Sequence, residues 1–228
     1  SEQDPADWEV ALWAALDGLV SRLDAPEDVV ALAVDSTSGT VLAMDGASGE
    51  VRSPALLYND RRAGAEALQC SEVLGSAISA TFGLPKILWL LRHADLPAGV
   101  RFVHAADYLN ELLVGRPVAT DFTNAMKSGV DLEGLAWPEE IERLGLSRGQ
   151  LPEICRPAEE LGLVAGPVAE RLGLRPGTRV FAGATDSNAA FYGSGAGEVG
   201  EWCNTIGTTF ALKGIASSRL HDPRGRLY

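Results

Sequence analysis

The chain has 228 residues, 46% hydrophobic and 22% charged, enough to bury a core without disulfides or metals, as one large domain or two small ones. Its formal net charge of -12 argues against nonspecific binding to nucleic acid or to an anionic membrane, although local backbone amides can still hold a phosphate inside an acidic protein. Cys70, Cys155 and Cys203 lack C-x-x-C spacing and read as reduced thiols, and His93, His104 and His221 are equally scattered, so spacing assembles no metal site. With no bilayer-length apolar run and no signal peptide, these features predict a cytoplasmic protein.

In chain order, Asp4-Pro5 opens the first predicted helix, Asp serving free amides as N-cap and Pro having none to lose. Trp8, Leu12, Ala15, Leu16, Leu19 and Leu23 then fall on one face. Residues 29–34 are a continuous apolar, β-branched-rich run and predict a buried strand. Residues 40–44 predict a second strand, followed by an Asp45-Gly46 turn. Residues 84–91 and 106–114 carry helical patterns, the second ended by Gly115 and Pro117. Residues 137–154 read as short helices with loops. Residues 178–181 predict a short strand, and the Gly/Ala-rich 182–197 turns into a helix. Residues 201–206 and 208–213 predict two strands with Gly207 in the turn between them. Strands mixed with helices indicate an α/β fold, whose strand order this pattern does not fix.

Five segments could carry chemistry, and each has a plainer explanation. Asp35-Ser36-Thr37-Ser38-Gly39-Thr40 follows a strand, where small hydroxyl residues can bind a polyhydroxy ligand; a solvent turn explains it equally well. Tyr58-Asn59-Asp60-Arg61-Arg62 also reads as a surface turn with Asp60 capping a helix. Thr120-Asp121-Phe122-Thr123-Asn124-Ala125 also reads as a capped helix start or Asx turn. Ala182 to Ala190 brings Asp186 to a helix start, as a base aimed into a cleft or as a cap. In Asn204-Thr205-Ile206-Gly207-Thr208-Thr209, a glycine turn flanked by hydroxyls can cradle phosphate oxygens or be a plain hairpin. Neither a GxxxxGK[ST] nor a GxGxxG motif is present.

Taken in order, these segments resemble the FGGY carbohydrate kinases. Tyr58-Asn59-Asp60-Arg61-Arg62 is similar to that family's Trp-x-Asp-x-Arg element, with Tyr for Trp. Asp121-Phe122-Thr123-Asn124-Ala125 resembles its Asp-x-x-Asn-Ala element, Gly183-Ala184-Thr185-Asp186 its glycine-rich stretch with the catalytic Asp, and Thr205 to Thr209 its phosphate hairpin. Where xylulokinases usually carry Gln-Met-His, this chain has Asp35 to Thr40, which resembles the ribulokinase and xylulose kinase-like branch.

The resemblance implies a ribonuclease H-like, actin-type ATPase lobe, a mixed sheet flanked by helices that lacks its first strands. Residues 1–213 would be a partial N-terminal lobe, and 214–228 the start of the run to a missing C-terminal lobe. It implies an ATP-dependent kinase acting on a ketopentose of the D-ribulose or D-xylulose type, with Mg2+ and with Asp186 as general base. Thr37, Ser38 and Gly39 would hold the sugar, with Asp60, Arg61 and Asn124 in support, and Gly207, Thr208 and Thr209 would approach the phosphates of ATP. No nucleic-acid or membrane partner is expected; a homodimer is left open. A non-catalytic sugar-binding lobe and a sugar-independent actin-like ATPase are the rival expectations.

Overall fold

The computed structural model describes residues 1–206, 210–218 and 220. In chain order it contains β1 (Glu2–Gln3), α1 (Pro5–Val20), β2 (Ala31–Ser36), β3 (Val41–Asp45), β4 (Ala55–Leu56), α2 (Gly64–Leu74) and α3 (Gly83–His93). There follow β5 (Val100–His104), α4 (Ala105–Val114), β6 (Thr120–Asp121), α5 (Phe122–Ala125), β7 (Ile154–Cys155), β8 (Glu160–Leu163) and α6 (Gly166–Leu172). The last are β9 (Arg179–Thr185), α7 (Asp186–Gly193), β10 (Trp202–Ile206) and β11 (Phe210–Gly214).

The strands form separate sheets. One has the order β1-β4-β3-β5 with every pair antiparallel. A second has the order β2-β9-β8, parallel between β2 and β9 and antiparallel between β9 and β8, and two further sheets pair β6 with β7 and β10 with β11. Helix α4 is buried along most of its length because it lies between the first two, packed on β5 of one sheet and on β2, β8 and β9 of the other. Its ends follow local rules. Asp107 closes a capping box on the backbone amide of His104, and Gly115 terminates the helix with φ +78°, which glycine adopts without a Cβ clash.

Two main cores result. The first joins β3 and β5 to α2 and α3 through Val41, Leu84, Leu88 and Phe102, and is closed by Trp137 and Ile141. The second joins β9 to α4, α6 and α1 through Leu113, Leu161, Leu172 and Val180.

Several sequence expectations change. Asp4 does cap α1, accepting from the Ala6 amide at 3.0 Å. The inner face of α1 is Leu12, Trp13, Leu16 and Val20, however, while Ala15, Leu19 and Leu23 are exposed. The run at 29–34 is not buried on both faces. In β2 exposed and half-buried residues alternate, because one face of the strand packs on the second core through Leu32 and Val34 while Ala31, Ala33 and Asp35 point to the other, exposed face. The strand expected at 178–181 continues to Thr185, so the helix after it starts only at Asp186. The two last expected strands pair antiparallel as β10 and β11, the second at 210–214 rather than 208–213, and the expected turn at Gly207 lies outside the described residues.

Candidate functional site

The β2–β9 pair delivers two of the candidate segments to one place. Val34 pairs with Ala182 and Ser36 with Thr185, so β9 carries one extra residue between these pairs. Asp35 fills the interrupted ladder, its Oδ1 accepting from the Ala184 amide at 2.7 Å. Gly183 permits the close approach: a Cβ there would stand 2.3 Å from the Val34 carbonyl oxygen. Beyond Ser36 and Thr185 the two chains leave the sheet together, one as Thr37-Ser38-Gly39 and the other as Asp186 at the first turn of α7.

The 120–128 segment lies beneath this junction. Asp121 is the N-cap of α5, its Oδ1 accepting from the amides of Thr123 and Asn124 and from the Thr123 hydroxyl, its Oδ2 from Asn124 Nδ2 at 2.6 Å. Held this way, Thr123 Oγ1 accepts from the Thr185 amide at 2.9 Å and Asn124 Oδ1 from the Ser36 hydroxyl at 3.3 Å. A further buried cluster fixes both ends of the segment. His104 Nδ1 lies 2.9 Å from Thr120 Oγ1 and 3.0 Å from Asp107 Oδ2, and its Nε2 lies 2.9 Å from Ser128 Oγ.

The 37–40 loop is tied from the other side. Thr37 and Thr40 share a hydroxyl hydrogen bond of 2.9 Å, and Thr40 Oγ1 accepts from the Tyr58 amide at 3.1 Å. Gly39 has φ +76° and sits so close to the start of α3 that a Cβ would meet the Thr81 carbonyl oxygen at 3.2 Å. Lys86 of α3, with no exposed surface, donates to the carbonyl oxygens of Gly39 at 2.5 Å and Leu57 at 2.7 Å. Burial pushes its ammonium down to about 8, against the attraction of Asp60.

The expected site residues therefore divide. Thr37, Ser38 and Gly39 on one chain and Asp186 on the other directly follow the paired residues Ser36 and Thr185. Asn124 is adjacent but fully buried, and its reach toward a ligand runs through Ser36. Asp60 stands apart. Both of its oxygens accept from Arg62 and it also pairs with the Ser1 amino group; burial opposes its charge, but Arg62 holds its carboxyl well below the usual range. Asp60 does not cap a helix, since α2 starts only at Gly64. Arg61 is exposed beside it. Gly207, Thr208 and Thr209 lie outside the described residues. Asp186 is exposed, with its Oδ1 accepting from the Ser187 amide at 2.7 Å; the N-cap of α7 is Thr185.

Sequence reasoning missed Lys86, Lys127 and Lys213. Lys127 follows α5, and its Cδ would lie 3.4 Å from a Cβ on Gly39. Lys213 of β11 donates to Asn188 Oδ1 of α7 at 2.6 Å. Desolvation lowers both ammoniums and the Asp186 carboxylate pulls both the other way. Among the described residues, no group of three or more His, Cys, Asp or Glu side chains could hold a metal ion, and no helix is long and apolar enough to cross a membrane. A magnesium ion carried on nucleotide phosphates needs no all-protein cage.

Comparison with known proteins converges on one family. Residues 1–193 match the N-terminal domain of the FGGY family of carbohydrate kinases. A xylulose kinase of Streptomyces coelicolor is 33% identical over 98% of this chain and 48% of its own length. A xylulose kinase of Lactococcus lactis is 30% identical over 100% and 48%, and a glycerol kinase of Thermus brockianus 34% identical over 91% and 45%. The chain thus spans about half the length of these curated relatives. Among solved structures, the xylulose kinase from Rhodospirillum rubrum superposes with a TM-score of 0.86 at 24% identity, over 98% of this chain and 48% of that one. This likeness places the fold among the actin-like ATPases.

Proposed function

Because this chain belongs to the FGGY family of carbohydrate kinases, we propose that it supplies the sugar-binding and proton-accepting half of an ATP-dependent kinase. The substrate is a ketopentose of the D-ribulose or D-xylulose type. Residues 1–213 act as the N-terminal lobe, residues 214–228 lead away from it, and a C-terminal lobe completes the nucleotide site.

The observation that supports this reading is the pairing of Ser36 with Thr185, from which the Thr37–Gly39 loop and Asp186 continue at the same end of the sheet. Phosphoryl transfer asks the protein mainly for positioning and charge: a hydroxyl held in line, and a carboxylate to take its proton. Thr37, Ser38 and the Gly39 backbone bind and orient the polyol, and Asp186 accepts the proton of the attacking hydroxyl. Asn124 and Thr123 hold the strand ends in register from below. Magnesium, when bound with ATP, neutralises phosphate charge; Gly207, Thr208 and Thr209 contribute to the nucleotide side.

The test is ADP release by the full-length protein with MgATP and a panel of ketopentoses, aldoses, glycerol and other polyols. Turnover that depends on a ketopentose supports the reading. Turnover on glycerol alone moves the substrate class, and ATP hydrolysis indifferent to sugar rejects the kinase.

A further inference from the structure

His104 ends β5, caps α4 and pairs through its backbone with Val41, the residue after Thr40. Its imidazole is enclosed: His104, Asp107, Thr120 and Ser128 each expose at most 2% of their surface. Asp107, His104 and Ser128 stand in the order of a nucleophilic triad, with contacts of 3.0 Å and 2.9 Å on the two ring nitrogens. A hydroxyl buried so completely meets no substrate, which leaves positioning as its part. The same order fixes the proton. A carboxylate oxygen only accepts, so Nδ1 carries the hydrogen opposite Asp107 Oδ2 and shares it with Thr120 Oγ1 at 2.9 Å, and Nε2 is left to accept from the Ser128 hydroxyl.

The two nitrogens lead to different parts of the candidate site. On the Nδ1 side, Thr120 precedes Asp121, whose bonds to Thr123 and Asn124 hold the Thr185 amide and the Ser36 hydroxyl. On the Nε2 side, Ser128 reaches the first residue of α3: its Oγ lies 2.2 Å from where a Cβ on Gly83 would stand, so only glycine leaves it room. The Gly39 backbone abuts the same turn, with the Thr81 carbonyl oxygen 3.2 Å and the Gly83 nitrogen 3.8 Å from where its own Cβ would be. One imidazole thus ties together the support of the strand end before Asp186 and the support of the 37–39 loop.

We propose that His104, as its Nδ1–H tautomer, is a positioning residue that holds the 37–39 loop and the Thr185 strand end in one frame. Resting on the kinase reading, its Nε2 arm acts on sugar binding, and its Nδ1 arm acts on the sugar and on the placement of Asp186.

The test uses the full-length protein and two substitutions of different reach. In His104→Asn the side-chain amide takes the place of Nδ1 and stops short of Ser128, whereas His104→Leu keeps no polar atom. The 15N ring signals of His104, assigned by their loss in His104→Asn, should be those of the Nδ1–H form. Amide exchange at Thr185, which donates to Thr123, should stay parental in His104→Asn and become about tenfold faster in His104→Leu. Exchange at Ala182, earlier on the same strand and bonded to the Glu159 carbonyl, should not change. His104→Asn and Ser128→Ala should each raise the sugar KM about fivefold with kcat within about twofold, and the two together should do no more than either alone. His104→Leu should lower kcat as well. Should His104→Leu fail to fold, Thr120→Val cuts the Nδ1 arm alone and should speed Thr185 exchange in its place.

An Nε2–H ring, equal effects of His104→Asn and His104→Leu on Thr185, or KM effects of His104→Asn and Ser128→Ala that multiply when combined would each overturn the proposal. Thr185 exchange that responds as expected, in a parent without sugar-dependent ADP release, leaves the positioning standing and removes the kinase. Sugar-dependent release with Thr185 exchange unmoved in folded His104→Leu or Thr120→Val keeps the kinase and removes the positioning.

Discussion

The Nζ of Lys86 donates to the carbonyl oxygen of Gly39 at 2.5 Å, joining the middle of α3 to a loop 47 residues earlier in the chain. A second bond to Leu57 makes this one ammonium the common anchor of two connections. Lys86→Met keeps the length and apolar stem but takes this donor from the Gly39 carbonyl, while the Leu57 carbonyl keeps only the Asp60 amide. Removing a buried charge is itself favourable, so the net loss expected is about 2 kcal/mol. Urea unfolding measures it, and a variant as stable as the parent would show that the carbonyls find other partners.

The same lysine predicts a pH dependence. Its folded value, about 8, lies below its ordinary 10.5. The unfolded chain therefore binds more protons between those values, and stability contributed by Lys86 rises as pH increases from about 8 to 10.5. The gain is at most about 3.5 kcal/mol, from 2.5 pH units at about 1.4 kcal/mol each. It should be present in the parent and absent from Lys86→Met, so the difference between their unfolding curves across pH 7.5 to 10.5 isolates it.

Gly183→Ala should unseat the β2–β9 junction. The new methyl would stand 2.3 Å from the Val34 carbonyl oxygen and 2.5 Å from Asp35 Oδ1, and the first of these is backbone that cannot swing aside. A loss above about 2 kcal/mol is expected. Gly49→Ala has nothing within 4 Å of its added carbon, although its φ of +74° still costs about 1 kcal/mol. Thermal unfolding of the two variants should rank them in that order.

Asp121→Ala removes the acceptor that holds Thr123 and Asn124, and with them the contacts to Thr185 and Ser36. Loss of the cap and of the buried bonds should cost about 1–3 kcal/mol. The apparent KM for the sugar should rise as the 36–39 strand end loosens. A stable variant with an unchanged KM would place the α5 contacts outside sugar binding.

Asp186→Asn preserves shape and removes the proton acceptor, so turnover should fall roughly a hundredfold or more while sugar KM stays within a factor of about two. Ser38→Ala should show the opposite split, a weaker sugar KM with the smaller change in kcat. Steady-state kinetics on the full-length protein distinguish them, and a near-normal kcat for Asp186→Asn would take Asp186 out of the base role.

What the sequence determined by itself is local. The Asp4-Pro5 start of α1, the Gly115 stop of α4 and the short helical turns of 137–154 depend on caps and φ preferences carried by the residues themselves. The ordered motifs likewise marked Thr37 to Gly39 and Asp186, because each sits where a strand ends and backbone geometry is special. The tertiary structure decided the rest. An apolar run at 29–34 does not say whether both faces of its strand are covered, so the exposed face of β2 could not be read from it. Asp60 and Asn124 have types suited to binding, yet the Asp60 oxygens are taken by Arg62, and Asn124 accepts from Ser36 and donates to Asp121, partners whose presence only folding establishes. The lysine at 86 reads as a polar interruption of an apolar helix; its two acceptors lie 47 and 29 residues away. Burial and charge proximity are sums over distant neighbours, and a linear pattern does not contain those distances.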